Sequence, residues 1–415
     1  MRRAALVTML GALASAATGC GSAVMTASTA AAVEPQGRGT IELVESSPVE
    51  TNLGHEDIPD AWEVWPKMIA SATRTLDLAE FYVSGQPGSR LDAVVAAVED
   101  AAKRGVVVRL LADAGFAKTY PEILDRLAGE ANVTVRRFDV KACMGGVLHA
   151  KYFIVDGVDT YLGSQNFDWR SLTHIHEMGV HLHDAAATAT FARIFESDWK
   201  LAGGEGSSPA PTSGAAAPSF AAMGQGAGAV VTPVASPKGF LPDPATWELP
   251  RLVALIDGAK KSVHVQVLTY GTTSRDGSAF ADLDDAVRRA AARGVEVSVL
   301  VSDWDKKKGM VEAVQRLAHV PGVTAKFIDI PPWSGGFVPF ARVAHAKYMI
   351  VDGARAWVGT SNWEGDYFTR SRNVGVIVEG DAFAQRLEGV FHDAFTGPYV
   401  EPVDPAKIYE PPKVQ

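Results

Sequence analysis

The sequence predicts an α/β protein built from two tandem α/β/α sandwich repeats packed as a pseudo-twofold pair. Three observations predict it. The chain repeats itself: AAKRGVVVRLLAD (101–113) returns as AAARGVEVSVLVSD (290–303), VTVRRFDV (133–140) as VTAKFIDI (323–330), and HAKYFIVDGVDTYLGSQN (149–166) as HAKYMIVDGARAWVGTSN (345–362). Within each copy, amphipathic helical stretches alternate with short apolar runs, the pattern of buried strands covered by helices. A tract of Gly, Ala, Ser and Pro, GGEGSSPAPTSGAAAPS (203–219), lies between the copies and has little capacity to form a core.

Taken in chain order, the first segment is not fold. Arg2 and Arg3 precede an apolar run, Ala4 to Ala17, that is too short to span a bilayer comfortably. It ends in Ala17-Thr18-Gly19-Cys20 and resembles a bacterial lipoprotein signal over residues 1–20, with Cys20 lipidated after cleavage. A plain secretory signal cut after a triplet such as Ala14-Ser15-Ala16 is the alternative. Either reading expects an exported protein, held at a bacterial cell envelope through Cys20 or secreted. Residues 21–39 read as a flexible tether.

The first repeat is expected over 40–202, the linker over 203–228, the second repeat over 229–404 and a tail over 405–415. Leu91 to Lys103 is amphipathic, and Gly105 stops that helix before the apolar strand that follows; Asp282 to Arg293 with Gly294 does the same in the second copy. RIFESDW (193–199) and GVFHDAF (389–395) are the matching closing helices, and ELVESSP (42–48) has a fainter echo in TPVASP (232–237). The second copy carries its extra length mainly in IPPWSGGFVPFARVA (330–344), which runs into the second His strand and is expected to wall the site. With 47% hydrophobic and 21% charged residues the composition is that of a globular protein, and a net charge of −9 offers no general attraction for nucleic acid. Of two cysteines, Cys143 is left without an intrachain partner once Cys20 is removed or lipidated, so no disulfide framework is expected.

Both copies share one constellation at identical spacing. It is His149, Lys151, Asp156, Gly163, Ser164 and Asn166 in the first, and His345, Lys347, Asp352, Gly359, Thr360 and Asn362 in the second. Two imidazoles can act as nucleophile and general acid. Two ammonium groups with Asn and Ser/Thr donors can grip phosphate oxygens and steady transition-state charge. Neither copy holds both a nucleophile and an acid, so the halves must face each other. Strand alternation puts Asp156 and Asp352 on the face opposite their His, where they brace a turn.

This doubled pattern resembles the signature of the phospholipase D superfamily, over nearly the whole exported chain. LVESSP, GSQNFDWRSLT, ARVAHAKYM and GTSNWEGDYFT are similar to the animal endolysosomal phospholipase-D-like branch, here in a bacterial exported form. The resemblance implies the phospholipase D fold and counts His149, Lys151, Asp156, His345, Lys347 and Asp352 as its catalytic set. It implies no cofactor and a covalent phosphohistidine, resolved by water or an acceptor alcohol. An acidic residue downstream of the motif commonly orients a catalytic His in the superfamily. Glu177, in HIHEMGV, stands there in the first copy and Asn373, in SRNVGV, in the second. On that ground His149 is expected to be the nucleophile and His345 the acid.

His174, His176, His181 and His183 alternate as metal ligands can, but the second copy lacks them and no metal is expected. Trp304, Trp333, Trp363, Tyr367 and Phe368 fall near the second motif and suit base stacking, acyl contact or plain core packing. The substrate expected is a phospholipid, hydrolysed or transphosphatidylated at a membrane surface; the alternative is exonuclease action on single-stranded DNA or RNA.

Overall fold

Strand order is the clearest record of the duplication. A computed structural model describes residues 39–206, 219–223 and 228–415. The signal segment, Cys20, nearly all of the tether and most of the linker lie outside the described residues. The first repeat runs β1 (Gly39–Ser46), α1 (Ala61–Ala70), β2 (Thr75–Glu80), β3 (Val83–Ser84), α2 (Arg90–Lys103), β4 (Val107–Asp113), α3 (Glu122–Ala128), β5 (Val133–Phe138), α4 (Val140–Met144), β6 (Tyr152–Val155), β7 (Asp159–Gly163), β8 (Phe167–Asp168), β9 (Glu177–His183) and α5 (Ala185–Ala202). A strand β10 (Phe220–Met223) then arises inside the expected linker.

The second repeat runs β11 (Ala229–Ser236), α6 (Glu248–Asp257), β12 (Ser262–Val267), α7 (Asp282–Ala292), β13 (Glu296–Ser302), α8 (Val311–Ala318), β14 (Val323–Ile328), β15 (Tyr348–Val351), β16 (Arg355–Gly359), α9 (Gly365–Thr369), β17 (Asn373–Glu379), α10 (Asp381–Thr396) and β18 (Val400–Pro402).

From its outer edge the first repeat orders its strands β5-β4-β2-β6-β7-β9-β1, and the second repeats this as β14-β13-β12-β15-β16-β17-β11, with β18 added at the edge. β10 pairs with both β1 and β11, so one sheet runs through both repeats. The linker therefore contributes a strand, which its composition concealed. In each half the helix-connected strands are parallel and the hairpin strands antiparallel. Gly105 and Gly294, at φ 92° and 84°, end α2 and α7 in the left-handed region that glycine adopts without strain.

Packing explains why the repeats form one compact unit. α1, α2 and α3 bury Trp65, Val94, Val98 and Leu124 on one face of the first repeat, and α6, α7 and α8 bury Leu252, Val287 and Val314 on the second. The opposite sheet faces and the closing helices α5 and α10 share a single core containing Phe191, Phe195, Leu387 and Phe391. Neither repeat could bury this face alone. Cys143 is half-buried, packs against that core and forms no disulfide. No helix among the described residues is long and apolar enough to cross a membrane.

Candidate active site

Each motif histidine precedes its strand rather than standing in it, because its backbone is tied to the other repeat. The His149 N–H donates to Arg372 O at 2.9 Å, and the His345 N–H donates to His176 O at 2.7 Å. The residues after these two acceptors are Asn373 and Glu177. The backbone clasp therefore brings each imidazole to the side chain at the head of the other repeat's strand.

The pairing corrects the expectation that Glu177 serves the His of its own repeat. Glu177 Oε1 lies 2.7 Å from His345 Nδ1, whereas His149 Nδ1 lies 3.0 Å from Asn373 Oδ1. The Asn373 amide is fixed in orientation: its Nδ2 donates to Tyr367 O at 2.7 Å, and its Oδ1 also accepts from Thr360 Oγ1 at 2.9 Å. His149 must therefore donate from Nδ1, which leaves Nε2 for chemistry. His345 likewise gives its Nδ1 proton to the carboxylate.

Burial governs the charges. Glu177 is fully buried, which pushes its carboxyl up to about 8 against the opposing pull of Lys347 and the Ser171 hydroxyl, whose Oγ donates to Oε2 at 3.1 Å. Burial pulls both His149 and His345 well below the usual imidazole range, and the ammonium groups of Lys151 and Lys347 pull them further. Lys151 itself is lowered to about 7 by burial, and Lys347 is lowered well below its ordinary value. Lys151 Nζ donates to His149 O at 2.6 Å, and Lys347 Nζ makes the matching bond to His345 O. Burial thus disfavours the charged form of all four groups in the empty site, and a bound anion would restore it.

A cavity of about 270 Å³ opens on both imidazoles, lined by Asn166, Asn362 and Arg170 among polar groups. Oδ1 of Asn166 and of Asn362 is buried without a partner among the described residues, so each amide borders the cavity with hydrogen-bonding capacity unused. Aromatic rings form the walls: Phe81, Tyr82, Phe116 and Tyr120 from the first repeat, Trp304, Phe340 and Tyr367 from the second. Phe81 and Tyr367 set their edges against His149, at 5.1 and 4.7 Å between centroids. Phe340 and Val343 place the long loop of the second repeat in the wall, as its length suggested.

The remaining expected residues fall elsewhere. Ser164 Oγ accepts from Met178 N at 3.1 Å and Thr360 Oγ1 from Val374 N at 3.1 Å, so these hydroxyls support the strands bearing Glu177 and Asn373 instead of lining the cavity. Asp156, at φ 52°, receives the N–H groups of Thr73, Arg74 and Thr75, and Asp352, at φ 58°, those of Lys260, Lys261 and Ser262. Both brace turns at the far end of the hairpin, in keeping with strand alternation and not with the catalytic set. His181 and His183 each meet Asp159 Oδ1 at 2.8 Å, His176 is buried, and His174 packs beside Trp333. No cluster able to hold a metal occurs among the described residues. Trp363 and Phe368 are core residues.

Sequence reasoning missed two arginines. Arg170 lines the cavity and pairs with Asp168 at 2.8 Å. Arg372, fully buried, makes a bidentate pair with Asp198 of α5 at 2.7 and 2.8 Å and also donates to Ser236 O and Phe240 O. It anchors the segment carrying Asn373 to the first repeat. Nothing at the motif spacing marked it, since the matching position in the first copy is His176.

Comparison with known proteins agrees with this geometry. A family model described as "Cardiolipin synthase, PLD-like domain" matches residues 66–199 and 252–394, one segment in each repeat. "Phospholipase D Z" of Dictyostelium discoideum is 29% identical over 391 residues, covering 88% of this chain and 91% of that protein. "5'-3' exonuclease PLD3" of Bos taurus is 30% identical over 401 residues, covering 88% and 81%. Among solved structures, a phosphatidylserine synthase from Haemophilus influenzae superposes with a TM-score of 0.61 at 10% identity, over 88% of this chain and 87% of that one. With both repeats matched and the paired motifs facing one cavity, the chain belongs to the phospholipase D superfamily of phosphodiesterases and matches its animal PLD3-like branch.

Proposed function

We propose that this phosphodiesterase works through a covalent phosphohistidine on His345, with His149 as the general acid. The observation that carries the reading is the unequal pairing of the two imidazoles, Glu177 on His345 and Asn373 on His149. When His345 Nε2 attacks phosphorus, the bond to the leaving oxygen breaks and the ring becomes cationic. In its ionised form, which Lys347 and Ser171 favour against burial, Glu177 on Nδ1 neutralises that charge, and an amide does not. His149 gives its Nε2 proton to the leaving oxygen. An amide partner fixes its ring while leaving its imidazolium the stronger acid. The negative charge of the bound phosphodiester raises the proton affinity of His149, which takes its second proton from solvent as the site loads. A water then yields a proton to His149 and attacks phosphorus, breaking the N–P bond and restoring both rings. Lys151, Lys347, Asn166 and Asn362 hold the non-bridging oxygens.

The substrate proposed is single-stranded nucleic acid. A flat base suits a cavity walled by Phe81, Tyr82, Phe116, Tyr120 and Trp304, because stacking binds any base. A related protein is named as a 5'-3' exonuclease. The phospholipid reading remains as the second: other relatives are named phospholipase D, and Phe337 and Phe340 stand 53% and 40% exposed on the loop that walls the cavity.

The test is phosphoenzyme trapping. With a diester carrying a nitrophenol leaving group, His149→Ala should still form an acid-labile phosphoenzyme and His345→Ala should not. Label on His149 would reverse the assignment. Turnover in chelator of a 5′-hydroxyl oligonucleotide but not of phosphatidylglycerol vesicles supports the nuclease reading; the converse supports the lipid one.

A further inference from the structure

Beside the catalytic cavity runs a second depression of about 500 Å³, lined by Lys118, Lys141 and Arg275 together with Gly115, Phe116, Gly145, Gly146 and Val147. It adjoins the site on the His149 side. Phe116 lines both cavities. Val147, on its floor, is two residues before His149, and Arg275 interacts with Tyr367, whose ring edges His149.

The three cations are exposed; Lys118 and Lys141 form no ion pair among the described residues, while the Arg275 backbone N–H donates to Asp366 Oδ2 at 2.6 Å and its side chain meets Tyr367. Two carboxylates line the same groove, but both are engaged. Asp113 accepts from the Gly115 and Leu148 N–H groups at 2.9 and 2.8 Å, and Asp139 accepts from Ala142 N at 2.9 Å, capping α4. A cavity beside Trp169 and Trp333 carries Arg90 with no carboxylate, but two others lack such an excess. The cavity sharing Trp304 with the catalytic one sets Asp303 and Asp329 against Arg342 and Lys413, and another surface cavity carries Asp92, Glu99 and Glu122 with Arg126. In a chain of net charge −9, three cations against two carboxylates give this side of the site a local positive excess, with Lys118 and Lys141 left unpaired among the described residues.

We infer that this groove binds the sugar–phosphate backbone of the strand attached to the leaving oxygen, with Lys118, Lys141 and Arg275 as its phosphate contacts. The inference rests on the single-stranded nucleic acid reading and adds a direction to it. The nucleotide to be transferred sits in the aromatic cavity, and the rest of the strand leaves past His149, which protonates its terminal oxygen. A lipid headgroup alcohol is too short to use the groove.

The experiment compares a long single-stranded oligonucleotide with a dinucleoside monophosphate, in wild type and in Lys118→Ala/Lys141→Ala. Hydrolysis of bis(p-nitrophenyl) phosphate reports that the variant is folded, and the two single variants serve if the double one is not. The ratio of KM for the long substrate to KM for the short one should rise roughly tenfold in the variant. The slope of log KM against log salt for the long substrate should fall by about 1.4, near 0.7 for each lost contact. A long oligonucleotide cleaved with neither change would overturn the groove while leaving the nuclease reading intact. Hydrolysis of the small diester with no cleavage of any oligonucleotide would overturn the nuclease reading itself, and the groove with it.

Discussion

Glu177 Oε1 of the first repeat lies 2.7 Å from His345 Nδ1 in the second, so the carboxyl group on this motif imidazole acts across the repeat interface. Its pseudo-symmetric counterpart, Asn373, holds His149 at 3.0 Å with an amide. The duplication kept the geometry and changed the charge, and the proposed division of roles follows that difference.

Replacing Glu177 with Gln removes the charge and keeps the shape. kcat should fall about 100-fold, with the deficit in phosphoenzyme formation. Asn373→Asp should act on the other histidine: a carboxylate stabilises the His149 imidazolium, so the pH–rate profile moves alkaline. Steady-state kinetics across pH with rapid quench separates the two. Equal losses in the phosphorylation step from both variants would contradict the division of roles.

The lysines predict a pH dependence of binding. Burial lowers Lys151 to about 7, so the empty site loses an ammonium charge as pH rises through neutrality. The protonated form binds phosphate, hence kcat/KM should decline on the alkaline side with a limb near that value. Bound phosphate favours the charged amine, so the corresponding limb in kcat should lie at higher pH. Lys151→Met should remove the limb from kcat/KM along with most activity.

Arg372 and Asp198 are both fully buried and bond bidentately between the repeats. Arg372→Met leaves a buried carboxylate unpaired and should cost about 3–5 kcal/mol of stability. Arg372→Met/Asp198→Leu should recover most of that in urea denaturation while kcat stays depressed, because Asn373 loses its anchor. Full recovery of kcat would show that the pair contributes stability alone.

Asp156 distinguishes a brace from a catalytic group. Its carboxylate satisfies the N–H groups of Thr73, Arg74 and Thr75 from a residue at φ 52°. Asp156→Ala should lower stability by about 2 kcal/mol through lost charge-assisted bonds and backbone strain. At a temperature where the variant is folded, kcat should stay within about threefold of wild type, as for a residue outside the site.

The sequence by itself determined the two-repeat plan, the paired helices 91–103 and 282–293, the closing helices, the hairpins after the motifs, the four cationic groups of the motifs and the bracing role of their aspartates. Those features rest on local periodicity and on spacing within one copy, and a linear chain displays both. It also marked the 330–344 loop as a wall, because an insertion beside a motif has few other places to go. Only the tertiary structure decided who partners whom. Glu177 was assigned to His149 because proximity in sequence favours its own repeat, yet the backbone bond from His345 to His176 exchanges the partners. Arg372, Asp198 and the strand β10 were missed for the same reason. Their roles exist only at the interface where two copies share a core, and no pattern within either copy encodes a contact that spans both.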